Sequence, residues 1–312
     1  MYVLAVDIGY SNLKIVRGDT EQPNLDIRVM PVGAAPIEMV CTDAHGNIGE
    51  GVEVWVDGQH YIAGVEPHSL SGWERALHED YTKSPEYRAL FFAALKTSGM
   101  ERISKIVTGL PVSHYREEGK ADELKKRLAG VHEVATGHFV EVMEVEVVPQ
   151  PIGSFMNVLD GMPAEEELFA SETLVIDPGF FSVDWVYLSE FKVRHEWSGS
   201  STLATSSVIE EAVALIKAEY DYRTNLNKIE LAIRDGRKFI LAGGSKVELE
   251  EVLKRAAASI KPALSNHLKS SMRGKTDDLD CVILTGGGAK YYGEAVKEMF
   301  PRAATSIQLP LH

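Results

Sequence analysis

Two eight-residue segments of this chain carry residue types suited to holding phosphate groups: Asp7-Ile8-Gly9-Tyr10-Ser11-Asn12-Leu13-Lys14 and Asp177-Pro178-Gly179-Phe180-Phe181-Ser182-Val183-Asp184. In each, an Asp ends an apolar run, Gly follows two residues later, a Ser lies in the turn and a charged residue takes the eighth place. Glycine lets a turn pass close to a ligand, so backbone N–H groups can converge on phosphate oxygens. Ser11 and Asn12 add donors, and Lys14 adds a compact positive charge. A carboxylate at a strand end suits Mg2+, which keeps much of its water and takes one or two carboxylates. A single such segment is equally an ordinary hairpin with Asp and Gly at its turn. Two matching copies, 170 residues apart and each closing the first strand of its own half, point to a duplicated phosphate-binding domain.

A third segment, Thr285-Gly286-Gly287-Gly288-Ala289, lies between an apolar run and the start of a helical pattern. There the backbone can approach a ribose or an α-phosphate, aided by the helix N-terminus. A plain glycine-rich turn is the alternative. Leu241-Ala242-Gly243-Gly244-Ser245 competes for the same role and ranks below it, having one glycine fewer. Other chemistries lack their signatures. The chain contains no G-x-x-x-x-G-K-[ST], no G-x-G-x-x-G after its first strand and no G-x-S-x-G. The histidines show no metal spacing, and His132 and His138 read as surface residues.

The elements that must position these segments follow from periodicity and punctuation. Tyr2–Val6 and Leu13–Val16 read as strands joined by the first segment, and Thr173–Ile176 and Ser182–Leu188 as strands joined by the second. Residues 22–65 are short and β-like, with Asp57-Gly58 as a hairpin turn, and read as a small β-rich insertion. Ser84-Pro85 opens a helix through Lys96 that Gly99 ends. Ile103–Thr108 is a strand stopped by Gly109-Leu110-Pro111, Lys120–Leu128 a helix, and Phe139–Val148 a strand ending at Pro149-Gln150-Pro151. Helices are expected at Ser206–Tyr220, at Lys246–Lys269 and from about Tyr291, with a buried strand at Asp280–Leu284. Pro163–Glu167 reads as an acidic surface loop. Strands alternating with helices imply an α/β protein with mostly parallel sheets.

Composition narrows the setting. With 312 residues, 45% hydrophobic and 25% charged, the chain fits a soluble globular protein of about two domains. The formal net charge of −14 argues against direct nucleic-acid binding, because an acidic surface repels phosphate. Any DNA would be engaged through a basic partner. Two lone cysteines, Cys41 and Cys281, form no disulfide framework or metal cluster, which fits a reducing compartment. The N-terminus lacks a basic leader, and no apolar run approaches a membrane span. The expectation is a cytoplasmic protein with no membrane contact.

The two hairpins and the late glycine turn resemble the actin-like ATPases, a superfamily that includes the heat-shock chaperone ATPases and the sugar kinases. Within it the chain is most similar to the bacterial and plasmid actin-like proteins of the ParM/StbA type. The residues behind this are Asp7-x-Gly9-x-Ser11-Asn12-x-Lys14, Thr108-Gly109-Leu110-Pro111-Val112, Tyr87-x-x-Leu90 and Val148-Pro149-Gln150-Pro151. The resemblance covers essentially the whole chain.

It implies a duplicated, RNase H-like two-domain fold with the nucleotide in a cleft between the domains. The domains would be residues 1–150, carrying the subdomain at about 22–65, and residues 151–312. Asp7 and Asp177 would hold Mg2+ through water. Gly9, Tyr10, Ser11, Asn12 and Lys14 would line the β-phosphate. Gly179, Phe180, Phe181 and Ser182 would line the γ-phosphate. Gly286, Gly287, Gly288 and Ala289 would face the adenosine of ATP or ADP. Asp177 would take part in catalysis, with either Gln150 or Asp184 orienting the attacking water. Glutamine is too weak a base to deprotonate water, and a solvent-exposed hairpin carboxylate is the alternative for Asp184. The resemblance further implies ATP hydrolysis coupled to a self-assembled filament, with a basic DNA-binding adaptor linking it to plasmid DNA. A small-molecule kinase and a shape-determining filament protein are the competing functions.

Two departures stand out. Pro178 stiffens the second turn, and Phe180-Phe181 replaces the smaller residues usual there. The family also continues into a final helix returning to the first domain, whereas this sequence stops at Leu309-Pro310-Leu311-His312, which reads either as a truncation or as absence of that helix.

Overall fold

The computed structural model describes residues 2–19, 21–41, 49–72, 80–159 and 170–307. The chain divides into two compact units: Met1–Leu110 with His114–Val148, and Pro111–Ser113 with Pro149–His312.

The first unit opens with the hairpin β1 (Tyr2–Ile8) and β2 (Asn12–Asp19), continued antiparallel by β3 (Gln22–Pro31). Then come β4 (Gly33–Pro36), β5 (Val52–Val56), β6 (Gln59–Val65) and helix α1 (Pro85–Ser98). The elements β7 (Arg102–Ile103), β8 (Lys105–Leu110), α2 (Val112–Arg116), α3 (Lys120–Leu128), β9 (Gly130–Ala135), β10 (His138–Val142) and β11 (Val145–Pro149) follow. The main sheet runs β11-β8-β1-β2-β3, with β8 parallel to β1. Burial alternates along β1, so Leu4, Val6 and Ile8 face the core while Val3, Ala5 and Asp7 face the other way.

Helix α1 has a complete set of end signals. The Ser84 side chain accepts a hydrogen bond from the Tyr87 backbone N–H at 3.1 Å, Pro85 sits in the first turn, and Gly99 closes the helix at φ 68°. Leu90, Phe91, Phe92 and Leu95 are buried along it, packed into the same core as Leu13 and Ile15 of β2. At the β5–β6 turn, Asp57 (φ 51°) and Gly58 (φ 82°) are both left-handed, the two-residue geometry that matches strand twist.

The second unit repeats the plan. Helix α4 (Gln150–Leu159) leads to the hairpin β12 (Glu172–Pro178) and β13 (Val183–Ser189), flanked by β14 (Lys192–Val193) and β15 (Gly199–Ser201). Helices α5 (Thr205–Tyr220) and α6 (Leu226–Arg234), the hairpin β16 (Phe239–Ala242) and β17 (Ser245–Glu248), and α7 (Leu249–Ser271) precede β18 (Cys281–Leu284), α8 (Ala289–Met299) and β19 (Ala304–Ile307). The sheet runs β14-β13-β12-β18-β19, with β15 on β13 and with β18 parallel to β12. Every residue of β13 is buried because both sheet faces are covered. Leu174, Ile176 and Trp185 pack on one side with α5, α7 and α8. Val175, Val186 and Ile283 pack on the other with Phe155 of α4.

Several elements differ from the expectations of sequence. The stretch Ile103–Thr108 breaks at Ser104, and its second strand runs on through Leu110, because β7 pairs with β10 while β8 pairs with β1. Phe139–Val148 splits for the same reason, β10 joining the small β7-β10-β9 sheet and β11 the main one. The β-rich stretch at 22–65 is also divided: β3 is the edge of the main sheet, and only β4, β5 and β6 form a separate sheet. Residues 245–248 are a strand rather than the first turn of a helix, since they pair with β16 across Gly243 and Gly244, both left-handed. That pairing makes Leu241–Ser245 a hairpin tip rather than a strand-to-helix turn. Helix α8 begins at Ala289, two residues ahead of Tyr291. The acidic stretch Pro163–Glu167 and the terminal Leu309–His312 lie outside the described residues. No described helix is long and apolar enough to cross a membrane.

His132 is not a surface residue. Its ring packs edge-on against Phe91 at 5.4 Å and lies 5.6 Å from Phe92, with Nε2 2.9 Å from the Leu128 carbonyl oxygen. Burial holds this imidazole below its ordinary value of 6.5, so the unfolded chain binds the proton more readily than the folded one. The contribution of His132 is therefore complete above about pH 6.5 and is lost as pH falls through the lower, folded value. Urea unfolding of the first unit is expected to show falling stability below that pH, and His132→Gln to flatten this dependence.

Candidate functional site

Two hairpins of matching geometry carry the candidate residues, and each unit holds one of them. In the first, the Gly9 N–H donates to the Asn12 carbonyl at 3.1 Å, closing the turn. The register then sets Asp7 opposite Lys14, whose Nζ lies 3.0 Å from Asp7 Oδ2. A Cβ on Gly9 would sit 3.3 Å from the Asn12 carbonyl oxygen, so the glycine serves close approach across the turn. The Asp7–Lys14 pair is partly exposed and contributes little to stability. Tyr10 stacks on Tyr81 at 4.8 Å, which meets Tyr87 edge-on at 5.4 Å. The buried Tyr87 phenol hydrogen-bonds Thr108 of β8, and burial raises its pKa. An aromatic chain thus ties the first loop to the Thr108-Gly109-Leu110-Pro111 segment.

In the second hairpin the Gly179 N–H donates to the Ser182 carbonyl at 2.8 Å, and the register sets Asp177 opposite Asp184. A Cβ on Gly179 would lie 3.1 Å from that carbonyl, as at Gly9. The turn is also fastened to α5. Thr205 Oγ1 donates to the Gly179 carbonyl at 2.8 Å, and the Ser206 N–H to the Phe180 carbonyl at 2.8 Å. Two carbonyls of the loop therefore take the first two backbone donors of α5. Phe180 packs against the core of the second unit, which accounts for the bulky residue in a loop. Phe181 and Ser182 are half-buried beside it.

The two residues opposite the aspartates differ in kind. Lys14 is exposed, whereas Asp184 is 2% exposed. Its carboxylate accepts from Ser182 Oγ at 2.5 Å, from the Val112 N–H at 2.7 Å and from Ser200 Oγ. The Ser113 N–H in turn donates to Ser200 Oγ at 2.9 Å. The sequence alternative of an exposed hairpin carboxylate is thus overturned. Asp184 is an internal acceptor that fastens the Pro111–Ser113 segment and β15 to the hairpin. A carboxylate engaged by three donors is poorly placed to polarise water as well.

The late glycine turn folds onto the second hairpin. The Thr285 N–H donates to the Ile176 carbonyl at 2.9 Å and the Gly288 N–H to that of Pro178 at 2.8 Å. A Cβ on Gly286, at φ 84°, would come within 2.0 Å of Asp177 Oδ1, and one on Gly288 within 2.6 Å of Thr205 Oγ1. These two glycines are needed for packing against the protein itself. Gly287 is the exposed member, with open space where a Cβ would be, and Ala289 is buried at the helix start.

Asp177 is half-buried, and Ser154 Oγ of α4 donates to its Oδ2 at 3.0 Å. Gln150 opens the same helix, one turn before Ser154, so the two residues share a face. The second unit thereby gathers Asp177, Gln150, the Gly179–Ser182 turn and Gly286–Gly288. Sequence reasoning missed Ser154, Ser200 and Thr205. Only Ser154 carried a usable signal, its spacing of four residues from Gln150. No group of three or more His, Cys, Asp or Glu side chains is gathered for a metal among the described residues. Asp7 and Asp177 each offer one carboxylate at a strand end, and a single carboxylate fits Mg2+, which draws most of its oxygens from water and phosphate.

Replacing Asp184 by Ala leaves three buried donors without their acceptor. Unfolding of the second unit is expected to lose about 3 kcal/mol, read by urea denaturation, with Asp184→Asn losing less.

Comparison with known proteins agrees with this geometry. Residues 5–153 match the family model of the actin like proteins N terminal domain, and residues 175–298 that of the archaeal actin homologue MreB-like, C-terminal. No curated protein sequence matches. Among solved structures, the archaeal actin homolog Ta0583 superposes with a TM-score of 0.75 at 17% identity, covering 99% of this chain and 94% of that one. Its complex with ADP gives a TM-score of 0.73 at 18% identity, with the same coverage. A 15-stranded ParM filament from Clostridium botulinum gives 0.68 at 18% identity, again covering 99% and 94%. Identities this low speak to the fold alone. With its two family models in tandem and a strand-end Asp–Gly hairpin in each half, the chain belongs to the actin-like proteins.

Proposed function

We propose that this chain is an ATPase that binds Mg-ATP through both Asp–Gly hairpins and assembles into nucleotide-dependent filaments that segregate plasmid DNA. The observation that carries the proposal is the repeated hairpin, with Asp7 facing Lys14 and Asp177 facing Asp184 in the same register. The first hairpin grips the β-phosphate: Gly9, Tyr10, Ser11 and Asn12 line it, and the Lys14 ammonium moves from Asp7 onto phosphate oxygen. The second senses the γ-phosphate through the Gly179, Phe180, Phe181 and Ser182 turn, where side chains are bulky and backbone donors do the binding. Gly286, Gly287, Gly288 and Ala289 lie toward the adenosine, with Gly287 the member open to a ligand. Mg2+, held through water by Asp7 and Asp177, supplies charge neutralisation on the phosphates when bound.

Gln150 is the better candidate than Asp184 for orienting the attacking water, because Asp184 is buried under three donors. Gln150 shares a helix face with Ser154, which already contacts Asp177. The same burial weakens the small-molecule kinase alternative, since that reaction needs an available carboxylate to take the acceptor's proton. Loss of the γ-phosphate removes contacts that only the ATP state makes, which shifts the population toward a dissociating conformation. The adenine nucleotide and the filament are inherited from the resemblance; the archaeal homolog solved with ADP and the ParM filament are consistent with both. With a net charge of −14, DNA would be reached through a basic adaptor, in the cytoplasm.

Addition of ATP and Mg2+ is expected to raise light scattering and to sediment the wild-type chain. Asp177→Ala is expected to keep nucleotide binding within a few-fold while losing most of its turnover. Absence of assembly at high protein concentration with ATP bound would remove the filament, and phosphoryl transfer to a small hydroxyl compound would favour the kinase.

A further inference from the structure

Among the described residues β3 is the last strand of its sheet, and its sequence is complementary to itself. Leu25, Ile27 and Val29 alternate along it and are 63%, 49% and 50% exposed. Between them, Asp26 lies 3.3 Å from Arg17 and 3.5 Å from Arg28, both partly exposed pairs. Large apolar side chains on an edge strand are a template for pairing with another chain. Opposite charges on such a strand ordinarily deter pairing, but their order here has another consequence. If a second copy of β3 lies antiparallel with Ile27 opposite Ile27, then Leu25 faces Val29, Asp26 faces Arg28 and Pro23 faces Pro31. Apart from Asn24, which falls opposite Met30, each pair is apolar on apolar or opposite in charge, as cross-strand neighbours prefer. The prolines, which cannot donate to a ladder, fall at both ends and bracket the pairing. Shifting the register by two residues, with the centre at Leu25 or Val29, sets Asp26 against Asn24 or Arg28 against Met30 and loses both charge pairs.

We propose that β3 is a homotypic docking edge, through which two copies of this chain join their five-stranded sheets across a twofold axis at Ile27. Such an interface is isologous and closed, so it makes pairs rather than open polymers. Pairing through β3 needs no nucleotide.

The twofold places two Ile27 Cα atoms within the 4.4–6.8 Å that a disulfide requires. Of the natural thiols, Cys41 is exposed, while burial pushes the half-buried Cys281 thiol up and makes it less reactive. On a Cys41→Ser background without nucleotide, Ile27→Cys is expected to cross-link to a dimer under mild oxidation. Val131→Cys, at a site 66% exposed but distant from β3 in sequence, is expected to remain largely monomeric. Sedimentation velocity of the full chain, again without nucleotide, is expected to show a concentration-dependent doubling of mass. Asp26→Arg should abolish it and Asp26→Arg/Arg28→Asp should restore it, although the second variant leaves the Arg17 contact broken. Equal cross-linking of the two cysteine variants, or no rescue by the charge exchange with both variants folded by circular dichroism, overturns the proposal.

Discussion

The turn hydrogen bonds from Gly9 to Asn12 and from Gly179 to Ser182 fix everything else at the candidate site. In an antiparallel ladder, a slip of one residue would turn every side chain to the opposite face. Each closure therefore decides which residue stands opposite the strand-end aspartate and which backbone groups line the turn. It also gives a reason for glycine at a position with no left-handed φ. The constraint is the approach of a Cβ to the carbonyl across the turn, at 3.3 Å in one hairpin and 3.1 Å in the other.

On this shared frame the two loops are held by different physics. The first is tethered by aromatic stacking from Tyr10 through Tyr81 to Tyr87, and its ion pair stays near solvent. The second is locked into its own unit by polar contacts: its carbonyls cap α5, Pro178 receives Gly288, and Asp184 collects three donors in the interior. Buried charge is tolerated only when its hydrogen bonds are satisfied, and Asp184 meets that condition by drawing in Val112, which lies in a segment far away in sequence. A loop fastened on three sides transmits a local change to the helices that hold it.

Much of the fold was legible because its signals are local. The Ser84-Pro85 start and Gly99 stop of α1, the Asp57-Gly58 turn and the buried runs of β1, β12 and β18 all act within a few residues. Errors fell where pairing partners decide the outcome. Nothing in Ile103–Thr108 or Phe139–Val148 announces that each run serves two sheets. Residues 245–248 have the composition of a helix start and become a strand only because β16 lies beside them. His132 looked like a surface residue for the same reason, since its neighbours Phe91 and Phe92 are some 40 positions away in the chain.

By itself the sequence determined the two Asp–Gly hairpins, their duplication, the third glycine turn and the net acidic charge. These rest on turn chemistry and net charge, which short segments and composition carry. Only the tertiary structure decided what each residue does for its neighbours. It placed Asp184 in the interior under three donors, gave Gly286 and Gly288 a packing reason beside Asp177 and Thr205, and brought Ser154 to Asp177. Hydrogen-bond saturation and steric closeness depend on groups that meet in space from distant parts of the chain, and no local pattern records those meetings.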